Sequence, residues 1–154
     1  NLRPTEVQGA FGIHQIKKLN RLVKKRIRNA QELKNKLKNY SEFLRFHPEK
    51  NGFKNSNMVF PITVIKNKFF TKEQLVKHLE KNNIDTRPVM TGNIVDHPVM
   101  QYIKFRKGSS LKNSKYIAEH SFLIGNHHLI SAKTQNYVID CITAFLKKKL
   151  KSRN

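Results

Sequence analysis

Apolar residues recur at intervals of three and four over the first forty positions. Val7, Phe11, Ile13, Ile16, Leu19, Val23, Ile27, Ala30, Leu33, Leu37 and Tyr40 make one stripe, the spacing of a single helical face. Lys17, Lys18, Lys24, Lys25, Arg28, Lys34 and Lys38 fall largely off that stripe. Thr5-Glu6-Val7-Gln8 has capping-box form: a hydroxyl to accept an N–H, then an amide three residues on to reach back. Gly12 is read as a break between a short first helix and a second of about 25 residues, close to 37 Å long.

Beyond Tyr40 the periodicity shortens. Phe43, Leu44 and Phe46 suggest a short strand closed by His47-Pro48, and residues 50–57 read as a polar turn around Gly52. The apolar, β-branched run from Met58 to Ile65 predicts a strand, with Pro61 arguing for an edge or a bulge. Thr71-Lys72-Glu73-Gln74 repeats the capping-box form and opens a helix to about Asn82, with Asn83 as its stop. A strand over residues 84–90, an irregular stretch with one turn near Val99–Ile103, a helix from Leu111 to His120 and a strand at Ser121–Gly125 follow. Ser131 caps a last helix with Val138, Cys141, Ile142, Phe145 and Leu146 on its apolar face. The order predicts an α+β fold, a long N-terminal helix followed by a small, mostly antiparallel sheet covered by helices. The division is a helical segment over 1–40 and a small α+β domain over 41–154.

Composition narrows the class. The chain has 154 residues, enough for one core, and its apolar residues are too periodic for disorder. Its single cysteine excludes a disulfide framework and a four-thiolate zinc site. With no apolar run of about 20 residues and no secretory leader at Asn1-Leu2-Arg3-Pro4, the expectation is a soluble, cytoplasmic protein without a membrane partner. A net charge of +21 first suggests nucleic acid. Yet 23 of the 31 cations are Lys, spread along the chain among 16 Asn, which fits a solvated surface better than base readout by Arg. RNP-type, KH and helix-turn-helix signatures are missing too, so a non-enzymatic nucleic-acid-binding domain stands as the alternative.

Glycine-rich phosphate loops and the H-E-x-x-H zinc motif are absent from the sequence. Cys141 reads as a buried small hydrophobe. Adjacent His127 and His128 would face opposite sides of a strand, so no metal site is assigned. Three segments remain. Asn1 and Arg3 precede a helix N-terminus, which favours anions. Arg87 is delivered by a strand into Thr91-Gly92-Asn93, and Arg suits a bidentate grip on carboxylate or phosphate. Gly125-Asn126-His127-His128 lies at a strand end. An ordinary structural role fits each segment as well, but three such loops in a small domain invite a shared anion site.

NLRPTEVQGAFGIHQIKKLNRLVKKRIRNA resembles the N-x-R-x-T-E-x-Q segment of nucleotide-sugar aminotransferases of the DegT/DnrJ type, fold-type I enzymes that use pyridoxal or pyridoxamine phosphate. NNIDTRPVMTGNIVDHPVMQY and FLIGNHHLI are similar to segments of the branch that includes the sugar 3-dehydratases. The resemblance implies the last part of such an enzyme, with residues 1–40 ending the large domain and 41–154 forming the small one. It implies that the cofactor domain, and the Lys or His that serves the cofactor, precede residue 1. No catalytic residue and no covalent cofactor are therefore expected here, and the chain alone is expected to be inactive.

On the same resemblance, Asn1 and Arg3 would reach the cofactor phosphate or substrate of a homodimer partner. Arg87, Thr91, Gly92, Asn93, Asn126, His127 and His128 would face a nucleotide-diphosphate sugar, with a 4-keto-deoxyhexose as the reacting unit in cell-surface polysaccharide biosynthesis. Asp96-His97-Pro98 departs from the dehydratase pattern and leaves open whether the parent transfers an amino group or removes the 3-hydroxyl.

Overall fold

A computed structural model describes residues 3–48, 51–90 and 92–151. Helix α1 (Glu6–Leu37) is uninterrupted for 32 residues, about 48 Å. The capping box forms at its start: Thr5 Oγ1 accepts from the Gln8 N–H and the Gln8 side chain accepts from the Thr5 N–H. The break expected at Gly12 does not occur. A helical glycine costs only about 1 kcal/mol against alanine, and no turn residues follow to offer the chain another path.

The sheet has four antiparallel strands in the order β1-β2-β4-β3: β1 Leu44–Phe46, β2 Val59–Val64, β3 Thr86–Pro88 and β4 Ser121–Gly125. Helix α2 (Lys72–Lys81) lies between β2 and β3, α3 (Lys112–His120) leads into β4, and α4 (Ala132–Leu150) ends the chain. Two 3₁₀ turns, Ile94–Asp96 and Pro98–Tyr102, occupy the irregular stretch. Asn83 stops α2 as expected, in the left-handed region at φ +56°.

Pairing puts Leu44, Phe60, Ile62, Val64, Phe122 and Ile124 on one face of the sheet. That face is buried with Leu75 and Leu79 of α2 and with Ile139, Ile142, Phe145 and Leu146 of α4. Strand β2 is interior rather than an edge, because β1 and β4 pair on either side of it. Pro61 is nonetheless tolerated, since the β1 ladder ends at Ile62 and no β1 residue lies opposite the proline.

The stripe of α1 divides in two. Ala30, Leu33 and Leu37 join the core. Val7, Phe11, Ile13, Ile16 and Leu19 stay in water, with Phe11 at 68% exposure. Only the second half of the helix meets the sheet layer; the first half extends past it.

Candidate functional site

The loop after β4 meets the middle of α1 through a set of amide bonds. Asn126 is 2% exposed, and its Nδ2 donates to the Arg26 carbonyl at 3.0 Å and the Asn57 carbonyl at 2.6 Å. One amide thus joins α1, the turn before β2 and the end of β4. Asn29, buried on α1, donates to the His127 carbonyl at 3.2 Å, and Gln135 of α4 donates to the Asn29 carbonyl at 2.8 Å. Asn57 itself holds the left-handed conformation at φ +49°, which asparagine tolerates. Four buried polar atoms here have no protein partner: Arg26 Nε, Asn29 Oδ1, Asn126 Oδ1 and His128 Nδ1.

His127 and His128 lie beyond the strand, not on it, so the opposite-face expectation fails. Their rings are 4.0 Å apart between centroids and tilted by 43°. Burial, followed by the positive charges of His127, Arg26 and Arg21, holds His128 below the usual imidazole range. The unfolded chain takes up that proton more readily, so this contribution to stability is whole above about pH 6.5 and fades as acidification passes the lower folded value. Urea unfolding at pH 7.5 and 5.5 should show a larger acid loss for the natural chain than for His128→Gln. Equal losses would remove His128 as the cause.

The other segments lie elsewhere. Arg87 is exposed on edge strand β3, opposite Leu123. Because β3 runs antiparallel to β4, the chain after Pro88 travels toward Ser121, away from the end of β4 that carries Asn126–His128. Gly92, at φ +60°, packs against α3 so closely that a Cβ there would come within 2.8 Å of Ala118 Cβ. Asn93 is buried, and its Nδ2 donates to Asp96 Oδ2 at 2.8 Å. Arg3 sits before the free end of α1, whose first residue is about 35 Å along the helix from Asn29. The described residues therefore do not bring Arg3, Arg87 and His127 together within one copy of the chain. Asn1 and Thr91 lie outside the described residues.

Arg21, Arg26, Asn29 and Asn57 were not singled out from the sequence. Asn29 carried a signal, since it is a polar residue next to Ala30 on the apolar side of a helix. The two arginines looked like any other off-stripe cations. Among the described residues no lysine is buried. Three or more His, Cys, Asp or Glu do not cluster among those residues, and none of their helices is long and apolar enough to cross a membrane.

This fold, an antiparallel sheet behind a projecting helix, is that of the small domain of fold-type I pyridoxal phosphate enzymes. The chain belongs to the DegT/DnrJ/EryC1/StrS aminotransferase family, which matches residues 1–143. It is 30% identical over 152 residues to the dTDP-4-dehydro-2,6-dideoxy-D-glucose 3-dehydratase of Saccharopolyspora spinosa, covering 96% of this chain and 32% of that protein. It is 31% identical over 130 residues to the GDP-4-keto-6-deoxy-D-mannose 3-dehydratase of Escherichia coli O55:H7, covering 84% of this chain and 33% of that protein. Among solved structures, an E. coli GDP-4-keto-6-deoxy-D-mannose-3-dehydratase with bound hydrated PLP superposes with a TM-score of 0.82 at 29% identity, over 92% of this chain and 36% of that one. The chain thus spans about a third of the length of these relatives.

Proposed function

We propose that this chain works as the C-terminal part of a pyridoxal or pyridoxamine phosphate enzyme acting on a nucleotide-linked 4-keto-deoxyhexose. The observation that carries the reading is the family match over residues 1–143, joined to an α1 whose first half exposes an apolar stripe. Aminotransfer and 3-dehydration both lie within the family's range. The names of the 30% and 31% identical relatives favour dehydration. The small domain supplies charge and shape, while the cofactor lobe that precedes it in the longer enzyme supplies the chemistry.

In this reading Arg3, at the end of the projecting helix, reaches a cofactor phosphate or substrate in a homodimer partner, the role the family resemblance also gives Asn1. Arg87, Thr91, Gly92 and Asn93 shape one approach to the sugar, and Asn126, His127 and His128 another. The two approaches lie at opposite ends of β4, so the missing lobe and the mate must close the site between them. Part of the +21 charge then serves to attract a sugar diphosphate.

The test is complementation. Co-expression of this chain with the cofactor lobe of the E. coli relative should restore turnover of a nucleotide-linked 4-keto-deoxyhexose, while either piece alone stays inactive. Product analysis separates amine from 3-deoxy sugar. A purified chain that forms an internal aldimine with pyridoxal phosphate, abolished by one Lys change, would overturn the assignment of the cofactor residue to another lobe.

A further inference from the structure

We propose that the outer face of α1 binds double-stranded nucleic acid through its phosphates, without reading sequence. Such binding is independent of the enzymatic reading above. At about 100° per residue, Lys17, Lys18, Arg21, Lys24, Lys25 and Arg28 fall within an arc of about 120° and over about 17 Å of helix. All are exposed except Lys25, which is half-buried. No acid lies in α1 between Glu6 and Glu32. Among the described residues none of the six cations forms an ion pair.

Like charges three and four residues apart on a helix repel, as Lys17 does Arg21 and Lys24 does Arg28. A polyanion along the stripe removes that repulsion. A duplex carries one negative charge per about 1.7 Å of axis, and cations laid on it release condensed counterions. The opposite side of α1 has Val23 and Ile27 half-buried and Ala30, Leu33 and Leu37 buried. A helix lying in a membrane surface inserts the face opposite its cations; here that face is already turned into the protein. Single strands are held largely by bases stacked on aromatic rings. Residues 12–39 contain no Phe, Tyr or Trp, and the exposed ring of Phe53 borders Ile27, outside the arc. A duplex needs neither device, because its phosphates face outward within reach of long cationic side chains.

Fluorescence anisotropy of a short random-sequence DNA duplex, titrated with the 154-residue chain between about 50 and 200 mM salt, tests this. Six phosphate contacts predict a slope of log K against log salt of about −5, a loss of about a thousandfold over that range. Changing Lys17, Arg21, Lys24 and Arg28 together to Gln should bring the slope to about −2. All four side chains are exposed, so the urea midpoint should stay near its natural value. In a second variant Lys147, Lys148 and Lys151 become Gln, beginning about 18 Å along α4 from the Gln135 that meets Asn29. That variant should change the slope by less than about one.

A slope shallower than about −3 for the natural chain, or an unchanged slope in the α1 variant, overturns the binding face. So does an equal loss in the α4 variant, which marks diffuse surface charge. Tighter binding at equal phosphate to phosphatidylglycerol vesicles, or to a single strand, overturns the choice of a duplex. Complementation with the cofactor lobe is scored separately, so success there with failure here discards only this face.

Discussion

Asn126→Leu should destabilise the chain by about 2–4 kcal/mol. The substitution leaves the Arg26 and Asn57 carbonyls without the donor that now reaches both. Stripping the buried Asn57 carbonyl of a partner costs about 1–3 kcal/mol, and the Arg26 carbonyl, which keeps its helical N–H, loses a second bond worth about 0.5–1.5 kcal/mol. Leucine fills a similar volume, so packing loss is not the main effect. Against a total stability of about 5–15 kcal/mol this is a large fraction. The measurement is the urea midpoint, with an unchanged slope showing that the denatured state is not what altered. The contrast is His127→Ala, whose ring is exposed and should change stability by about 0.5 kcal/mol or less. A loss below about 1 kcal/mol for Asn126→Leu would mean the amide does not hold the helix, the turn and the loop together.

Phe11→Asp with Ile16→Asp should behave in the opposite way. Both side chains are exposed on the free half of α1, at 68% and 65%. Their replacement should leave the urea midpoint of the chain nearly unchanged, within about 0.5 kcal/mol per site. In the complementation assay the same pair should lower activity by about a hundredfold or more. Two charges placed in an apolar seam cost several kcal/mol unless paired, and each 1.4 kcal/mol is a factor of ten. A complemented enzyme with natural activity would show that this half of the stripe is not an assembly surface.

Local physics carried the elements. The strands around Leu44, Ile62 and Phe122 follow from β-branched and aromatic runs, and the helices start where Thr5, Thr71 and Ser131 accept N–H groups from residues three further on. Asn83 and Cys141 also sit as their neighbours in sequence imply. Gly12 misled because a lone glycine weakens a helix without ending it. Pro61 misled because its tolerance depends on how far the neighbouring strand extends, which the proline's own segment does not reveal.

The candidate site was legible only in pieces. Asn126, His127 and His128 stood out as a loop after a strand, and Arg87 as a cation before a turn. Their relation depends on strand direction: antiparallel β3 and β4 send the two loops to opposite ends of the sheet. Arg26 lies 100 residues before Asn126, whose amide reaches its carbonyl, and nothing in helical periodicity separates it from Lys17 or Lys24.

By itself the sequence determined where helices and strands form, which positions are apolar and which family pattern the segments repeat, because capping, alternation and side-chain chemistry act over a few neighbours. Only the tertiary structure decided which part of the long stripe is buried, where the two loops emerge, and that the loop after β4 is tied to α1 at Arg26 and Asn29. Those outcomes come from long-range packing, where the amide of one asparagine reaches carbonyls 69 and 100 residues away.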